Sequence, residues 1–263
     1  MNAPTRPARR GRKTRSDDTL PAQLDWREIR NHMAPLAPLS DDQIESIHLA
    51  SLRLLEEYGI EVMSAPAREI FRAAGAEVDD ATMIVKADRG LIETAVASAK
   101  PHFTLTPVNP DRALIIGGDQ IHFGLVSGAP NAHDIKTGRR TGNFEDYKKL
   151  MMLGQSFNVI HFFGNQTLAP NDLPANTRHL DTTFVNLTMT DKVFLSMSIG
   201  EGRVRDASRL TAIARGLTME ELAASPTAIT NININSPRKF DVEMAAAAMA
   251  MAEMGQATVI TPF

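Results

Sequence analysis

The residues with the clearest chemical content form the run Thr230-Asn231-Ile232-Asn233-Ile234-Asn235. Side chains alternate along an extended strand, so Asn231, Asn233 and Asn235 share one face and the isoleucines the other. Asparagine is disfavoured in strands, and three on one face call for a reason beyond propensity. A carboxamide donates through nitrogen and accepts through oxygen, so such a row could hold a carboxylate or solvate an ammonium. The competing reading is a loop that begins before the strand is drawn to end, with Asn235 belonging to the turn before Ser236. Comparable polar residues, Gly164-Asn165, Ser198 and Thr261, stand at the ends of three other apolar runs.

Other chemistries find less support. The seven histidines, His32, His48, His102, His122, His133, His161 and His179, make no His-Glu-x-x-His pair or other tight ligand spacing, so no metal site is expected. His161 lies inside an apolar run and reads as a satisfied interior or edge residue. His133-Asp134 could be an imidazole oriented by a carboxylate. The chain has no cysteine, which excludes disulfides, thiolate zinc sites, iron–sulfur ligation and cysteine nucleophiles. Gly200-Glu201-Gly202 follows a strand and opens a helix, but Arg205 stands where a dinucleotide fingerprint needs its third small residue. The stretch Gly117–Gly128 lacks the Lys-Ser or Lys-Thr pair of a phosphate loop. No nucleophile or general base stands out, and the catalytic residues are unknown at this level.

The elements that must position these residues fall into three stretches. Residues 1–37 are a tail and linker: the first 16 carry six basic residues and no acid, and read as a disordered, solvated arm. The rest of the 263-residue chain has 22 basic against 31 acidic residues, a net −9, which argues against a nucleic-acid partner. No run approaches the roughly 18 apolar residues of a membrane span, and a cytoplasmic location is expected. Residues 38–156 read as an α+β region. Ser40-Asp41-Asp42-Gln43 is a capping box, helices are expected near Pro66–Ala74 and Asp88–Ala99, a strand at Met83–Val85, and hairpins through Leu105–Val126. Asn143 caps a further helix to Ser156.

In residues 157–263 strands and helices alternate. Strands begin near residues 159, 193, 227 and 257, at intervals of 34, 34 and 30 residues, as in parallel β/α units. One intervening helix is expected from Asp172, another from Ser236-Pro237. Four such units are an open sheet or half of an eight-stranded barrel, which needs ~250 residues for its full circuit.

Several segments resemble one family. They are Leu39-Ser-Asp-Asp-Gln-Ile-Glu-Ser-Ile-His48, Leu54-Leu-Glu-Glu-Tyr-Gly-Ile-Glu-Val62, Phe123-Gly-Leu-Val-Ser-Gly-Ala-Pro-Asn-Ala-His-Asp134 with Thr137-Gly-Arg-Arg140 and Asp146, Asn235-Ser-Pro237, and Val259-Ile-Thr-Pro-Phe263. Together they are similar to the trimethylamine methyltransferase (MttB) family. The resemblance implies an α/β fold, a TIM (β/α)8 barrel preceded by the α+β region, of which this chain would hold the first four β/α units. It implies transfer of a methyl group from a methylated amine or betaine to the Co(I) of a corrinoid protein. The corrinoid is then carried by that partner and none is bound directly. Methanogenesis is one setting of the family. Some members contain pyrrolysine and act on trimethylamine; others lack it and include glycine betaine methyltransferases. The position of that residue falls in the second half of the barrel, which leaves the branch open.

In this reading Asn165, Asn231 and Asn233 supply orienting amides for the substrate. Phe123 is a wall of an aromatic cage if the glycine-rich loop folds over the barrel mouth, and an ordinary hairpin core residue otherwise. A half barrel would leave its first and fourth strands as free edges. The expectation is therefore a chain cut short after its fourth strand, inactive alone and prone to form homo-oligomers. The alternatives are a non-catalytic fragment, one half of a split barrel, or a nucleotide-dependent oxidoreductase on an open sheet.

Overall fold

The computed structural model describes residues 22–262; the basic arm expected over residues 1–16 lies outside them. A short strand, β1 (Ile29–Arg30), precedes helix α1 (Asp41–Glu57). The Ser40 hydroxyl accepts the Gln43 N–H at 3.3 Å, and the Gln43 amide oxygen accepts the Ser40 N–H at 2.9 Å, the reciprocal cap read from the sequence. Next come β2 (Ile60–Val62), α2 (Ala65–Ala73), β3 (Glu77–Asp79), β4 (Ile84–Lys86) and α3 (Arg89–Ala97). Ser64 and Asp88 cap the two helices. Strands β2 and β3 pair antiparallel on either side of β4, over a core of Val62, Ala67, Ala76 and Val85.

Strands β5 (Phe103–Leu105) and β6 (Leu114–Ile116) form the expected hairpin. The hairpin series then stops. β7 (Gln120–Ile121) pairs antiparallel with β1, not with β6. Beyond it the glycine-rich segment straightens into a parallel neighbour of a later strand, before a second hairpin, β8 (Asn131–Asp134) and β9 (Gly138–Thr141).

The alternating region contains α4 (Phe144–Ser156), β10 (Phe162–Phe163), α5 (Arg178–Met189), β11 (Val193–Phe194), α6 (Glu201–Arg215), α7 (Met219–Ala224), β12 (Ile229–Ile234), β13 (Lys239–Phe240), α8 (Val242–Glu253) and β14 (Ala257–Pro262). Two helices start later than expected. α5 begins at Arg178 rather than near Asp172, because the Asp172 carboxylate is used elsewhere: it accepts the Phe144 N–H at 2.8 Å and caps α4. α8 begins at Val242, capped by Asp241, because the residues after Ser236-Pro237 first form β13. That strand pairs parallel with β2, so the front sheet has the order β13-β2-β4-β3 and is completed from the back of the chain.

The parallel pairs are β10 with β11 and β12 with β14, joined by the bridge Leu195–Ile229. Bridges Gly124–Phe162 and Ala129–Leu168 add the segment 123–129 to the outer edge of β10. The array thus has five extended segments, and its first member lies before residue 157. Gly124 and Gly164 permit this close approach: a Cβ on Gly124 would meet the Phe162 ring, and one on Gly164 would meet Ser127 Oγ and the Val126 carbonyl.

Helices α4, α5, α6 and α8 cover one face of the array, on Phe163, Phe194, Ala228 and Ile232. The other face is covered at its amino end by the β5–β6 hairpin, through Leu105 and Leu114 against Val193 and Ile229. The fold is mixed α/β, and the array does not close into a barrel among the described residues.

Candidate functional site at the carboxyl rim of the parallel array

Strand β12 carries the site because its two faces differ. Thr230 and Ile232 point to the helices and are fully buried, with the Thr230 hydroxyl donating to the Met197 carbonyl at 2.7 Å. Ile229, Asn231 and Asn233 take the opposite face, as the alternation predicts. There a cavity of about 250 Å³ opens between the array and the β5–β6 hairpin. Its walls are apolar, including Leu105, Leu114, Phe162 and Leu195, and its polar end is Asn231 with Thr261. The Thr261 hydroxyl donates to Asn231 Oδ1. One step further along the face, Asn233 stands opposite Thr261 in the register of β12 and β14. Its Oδ1 is buried and has no hydrogen-bond partner. An orphaned acceptor of this kind carries a desolvation cost unless something fills its place.

The other sequence candidates sit apart from this pair. Asn165 stands at the same rim beyond β10. Its N–H donates to Ser127 Oγ at 3.1 Å, and its carbonyl accepts from Asn186 Nδ2 at 3.1 Å. Asn186 is buried and in turn accepts the Tyr147 hydroxyl at 3.0 Å; burial pushes that phenol well above its ordinary range, against the opposing Asn186 bond. Sequence reasoning missed Tyr147 and Asn186, since an aromatic and an amide on two different helices show no local pattern. Asn235 belongs to a turn: its backbone pairs with Lys239 and its Nδ2 donates to Asp241 at 2.9 Å.

Phe123 lies at the amino end of the array, half exposed, with its ring centroid 6.2 Å from that of His161. The structure therefore does not bring it to the asparagines. His161 is a satisfied interior residue, as expected: Nδ1 accepts the Phe123 N–H at 3.1 Å and Nε2 contacts the Arg27 carbonyl at 3.0 Å. Asp134 does not orient His133. It accepts from Thr137 and from the Lys136 N–H, and the Thr137 hydroxyl leads the bonds that hold its carboxyl down to about 2. Arg205, in the place of the third fingerprint glycine, is tied by Glu201 and Glu253. Among the described residues no cluster of three or more His, Cys, Asp or Glu could hold a metal ion, and no helix is long and apolar enough to cross a membrane.

Comparison with known proteins follows from residues 5–263, which match the family model described as trimethylamine methyltransferase (MTTB). The glycine betaine methyltransferase of Desulfitobacterium hafniense (strain Y51) is 33% identical over 222 residues, 84% of this chain and 46% of the relative. A trimethylamine methyltransferase of the same species (strain DSM 10664 / DCB-2) is 38% identical over 88 residues, 34% of this chain and 18% of that one. A trimethylamine methyltransferase of Methanosarcina barkeri (strain Fusaro / DSM 804) is 38% identical over 64 residues, 24% of this chain and 13% of its own. Against the longest of these matches the chain spans about half the relative's length.

Proposed function

The chain belongs to the trimethylamine methyltransferase family, and on that premise we propose that it is the substrate-binding part of a methyltransferase acting on a methylated amine or betaine. The open parallel array is then the first portion of a (β/α)8 barrel, and its carboxyl rim is the mouth, where such barrels hold their sites. The methyl acceptor is the Co(I) of a corrinoid on a partner protein, which would dock over that rim. The protein works away from membranes and nucleic acid, in the cytoplasm, as a homo-oligomer.

The observation that carries this reading is an apolar cavity whose polar end is Asn231 with Thr261, with the buried, unpartnered Oδ1 of Asn233 one step further along the same strand face. A quaternary ammonium has no N–H to donate. It is held by apolar walls and by the negative ends of fixed dipoles, which is what the rim offers. In the transfer the N–CH3 bond breaks, its electron pair stays on nitrogen, a neutral amine leaves, and the methyl carbon bonds to cobalt. No proton moves at that carbon, so the chain needs to align the N–C bond and exclude water rather than to supply a base. Asn231 and Asn233 orient the substrate, and Asn165 lines the neighbouring rim position.

Calorimetric titration with glycine betaine and with trimethylamine, followed by methyl transfer to cob(I)alamin read by absorbance, tests the proposal. Asn231→Ala and Asn233→Ala should each weaken binding, by roughly the ten- to a hundredfold that a contact between a polar group and a full charge is worth. Wild-type binding in both variants, or tight NAD binding with no affinity for either amine, would overturn it.

A further inference from the structure

We propose that helix α1 is a self-association surface, on which a second copy of the chain packs antiparallel through its own α1. This names a contact for the homo-oligomer of the reading above and is independent of the rim and its substrate. Ile44, Ile47, Leu54 and Tyr58 are 41–63% exposed along α1 and at its end. With Ser51 they recur at intervals of three, four, three and four residues, the heptad spacing of a helix–helix seam. At 3.6 residues per turn this stripe lies roughly 120° around the helix from Leu52, the buried residue of α1. The helix thus has two apolar sides, one turned to its own chain and one covered by nothing among the described residues. Gln43, His48, Ala50 and Leu55 flank the stripe, so between its ends no carboxylate, lysine or arginine borders the seam.

A second copy is singled out by the order of these side chains, which reads nearly alike from either end about Ser51. A two-fold axis there sets Ile44 on the partner's Tyr58 and Ile47 on the partner's Leu54, each contact made twice, as an isologous interface requires. Ser51 is the small residue at the crossing point. Its hydroxyl already donates to the Ile47 carbonyl at 2.9 Å, so covering it leaves no donor unpaired. Antiparallel placement also sets opposite ends of the two helix dipoles together. A helix of 17 residues is ~25 Å long, and one pair of that length buries less than the ~1,200 Å² of a standard interface. The dimer is therefore of the weak, exchanging class.

The chain has no cysteine, so Ser51→Cys gives the full chain a single thiol at the axis. Under mild oxidation it should yield a covalent dimer of twice 28.7 kDa, and Ser46→Cys, on another side of α1, should yield little. Sedimentation equilibrium gives the second readout, on a chain carrying Ile260→Lys so that the open edge of β14 is charged. There Ile47→Glu with Leu54→Glu should weaken the dimer by about tenfold or more, since like charges would face each other across the axis. Leu49→Glu should leave it unchanged, because Leu49 is as exposed as Leu54 but lies on the opposite side of the helix. Equal cross-linking of the two cysteine variants would overturn the inference. So would an equal effect of Leu49→Glu, or a mass that does not rise with concentration in the Ile260→Lys chain; either assigns the stripe to some other partner. None of these outcomes bears on amine binding, which the calorimetric titration reads separately.

Discussion

The Nδ1 of His161 lies 3.1 Å from the backbone nitrogen of Phe123 and accepts its N–H. The other ring nitrogen must then carry the proton, and it donates to the Arg27 carbonyl at 3.0 Å. One neutral imidazole thus ties the strap before β1 to the first two segments of the parallel array. A second proton on Nδ1 would face the Phe123 N–H and break that tie. Burial is the main influence lowering the pKa of His161, helped by the nearby His122 and Lys192 charges and opposed by the Arg27 carbonyl.

This gives a pH dependence of definite sign. Above the ordinary histidine value of about 6.5 the ring is neutral in both folded and unfolded chains, and His161 adds no slope. Below it the unfolded chain takes the proton first, so the folded state loses ground until pH falls through the lowered folded value. Urea midpoints measured from pH 8 to pH 5 should decline below about 6.5, and His161→Gln, which cannot titrate, should remove that part of the slope. An equal slope in the variant would assign it to other groups.

Lys192 should be costly to replace. It is 2% exposed, and its Nζ donates to the carbonyls of Gly154 at 3.0 Å, Gln155 at 3.3 Å and Phe157 at 2.7 Å. These carbonyls lie at the end of α4, where a cation is favoured by the helix dipole, and those of Gly154 and Phe157 also accept the N–H of Phe157 and of Ile160. Burial lowers its pKa to about 8, which still leaves it charged at neutral pH. Lys192→Met would remove a charged donor from three carbonyls, of which those of Gly154 and Phe157 keep a backbone N–H, at about 1–3 kcal/mol. The denaturant midpoint should fall with the slope unchanged; an unmoved midpoint would mean that water replaces the ammonium.

Glycine substitutions at two positions should act in opposite directions. Gly164→Ala would push its Cβ into Ser127 Oγ and the Val126 carbonyl, where the backbone leaves no relief, and overpacking of this kind costs about 1–3 kcal/mol. Gly202 lies in α6 with nothing within 4 Å of an added Cβ, so Gly202→Ala should stabilise by about 0.5–1 kcal/mol. Thermal melts of the two variants check both signs. A neutral Gly164→Ala would show that the segment 123–129 is held less closely than the bridges indicate.

What the sequence revealed and what it hid follow one physical line. The caps at Ser40 and Asn143 are local, and each was legible from side-chain type and spacing. Period-two alternation likewise put Asn231 and Asn233 on one face. The role of segment 123–129 was hidden because its glycines read as turns, whereas Gly124 makes room for the Phe162 ring far along the chain. Parallel pairing and the Tyr147–Asn186–Asn165 relay are non-local and leave no period to count. Asp172 misled for a related reason: its residue type marks a helix start, but the helix it caps is α4, not the one that follows it.

The last prediction concerns β14. Its inner side pairs with β12 along its whole length, and on its far side it pairs with no strand among the described residues. Val259 is 43% exposed on the cavity face and Ile260 54% exposed on the helix face, so the strand shows apolar surface on both sides of an open edge. Open edges with apolar side chains are templates for further pairing. The chain studied as it is should therefore self-associate, with an apparent mass by light scattering that rises with concentration above 28.7 kDa. Ile260→Lys places a charge on that edge without touching Asn231 or Thr261, and should lower the apparent mass toward the monomer. A chain that remains monomeric at high concentration, or a lysine variant that associates as strongly as the parent, would show that this edge is not the contact.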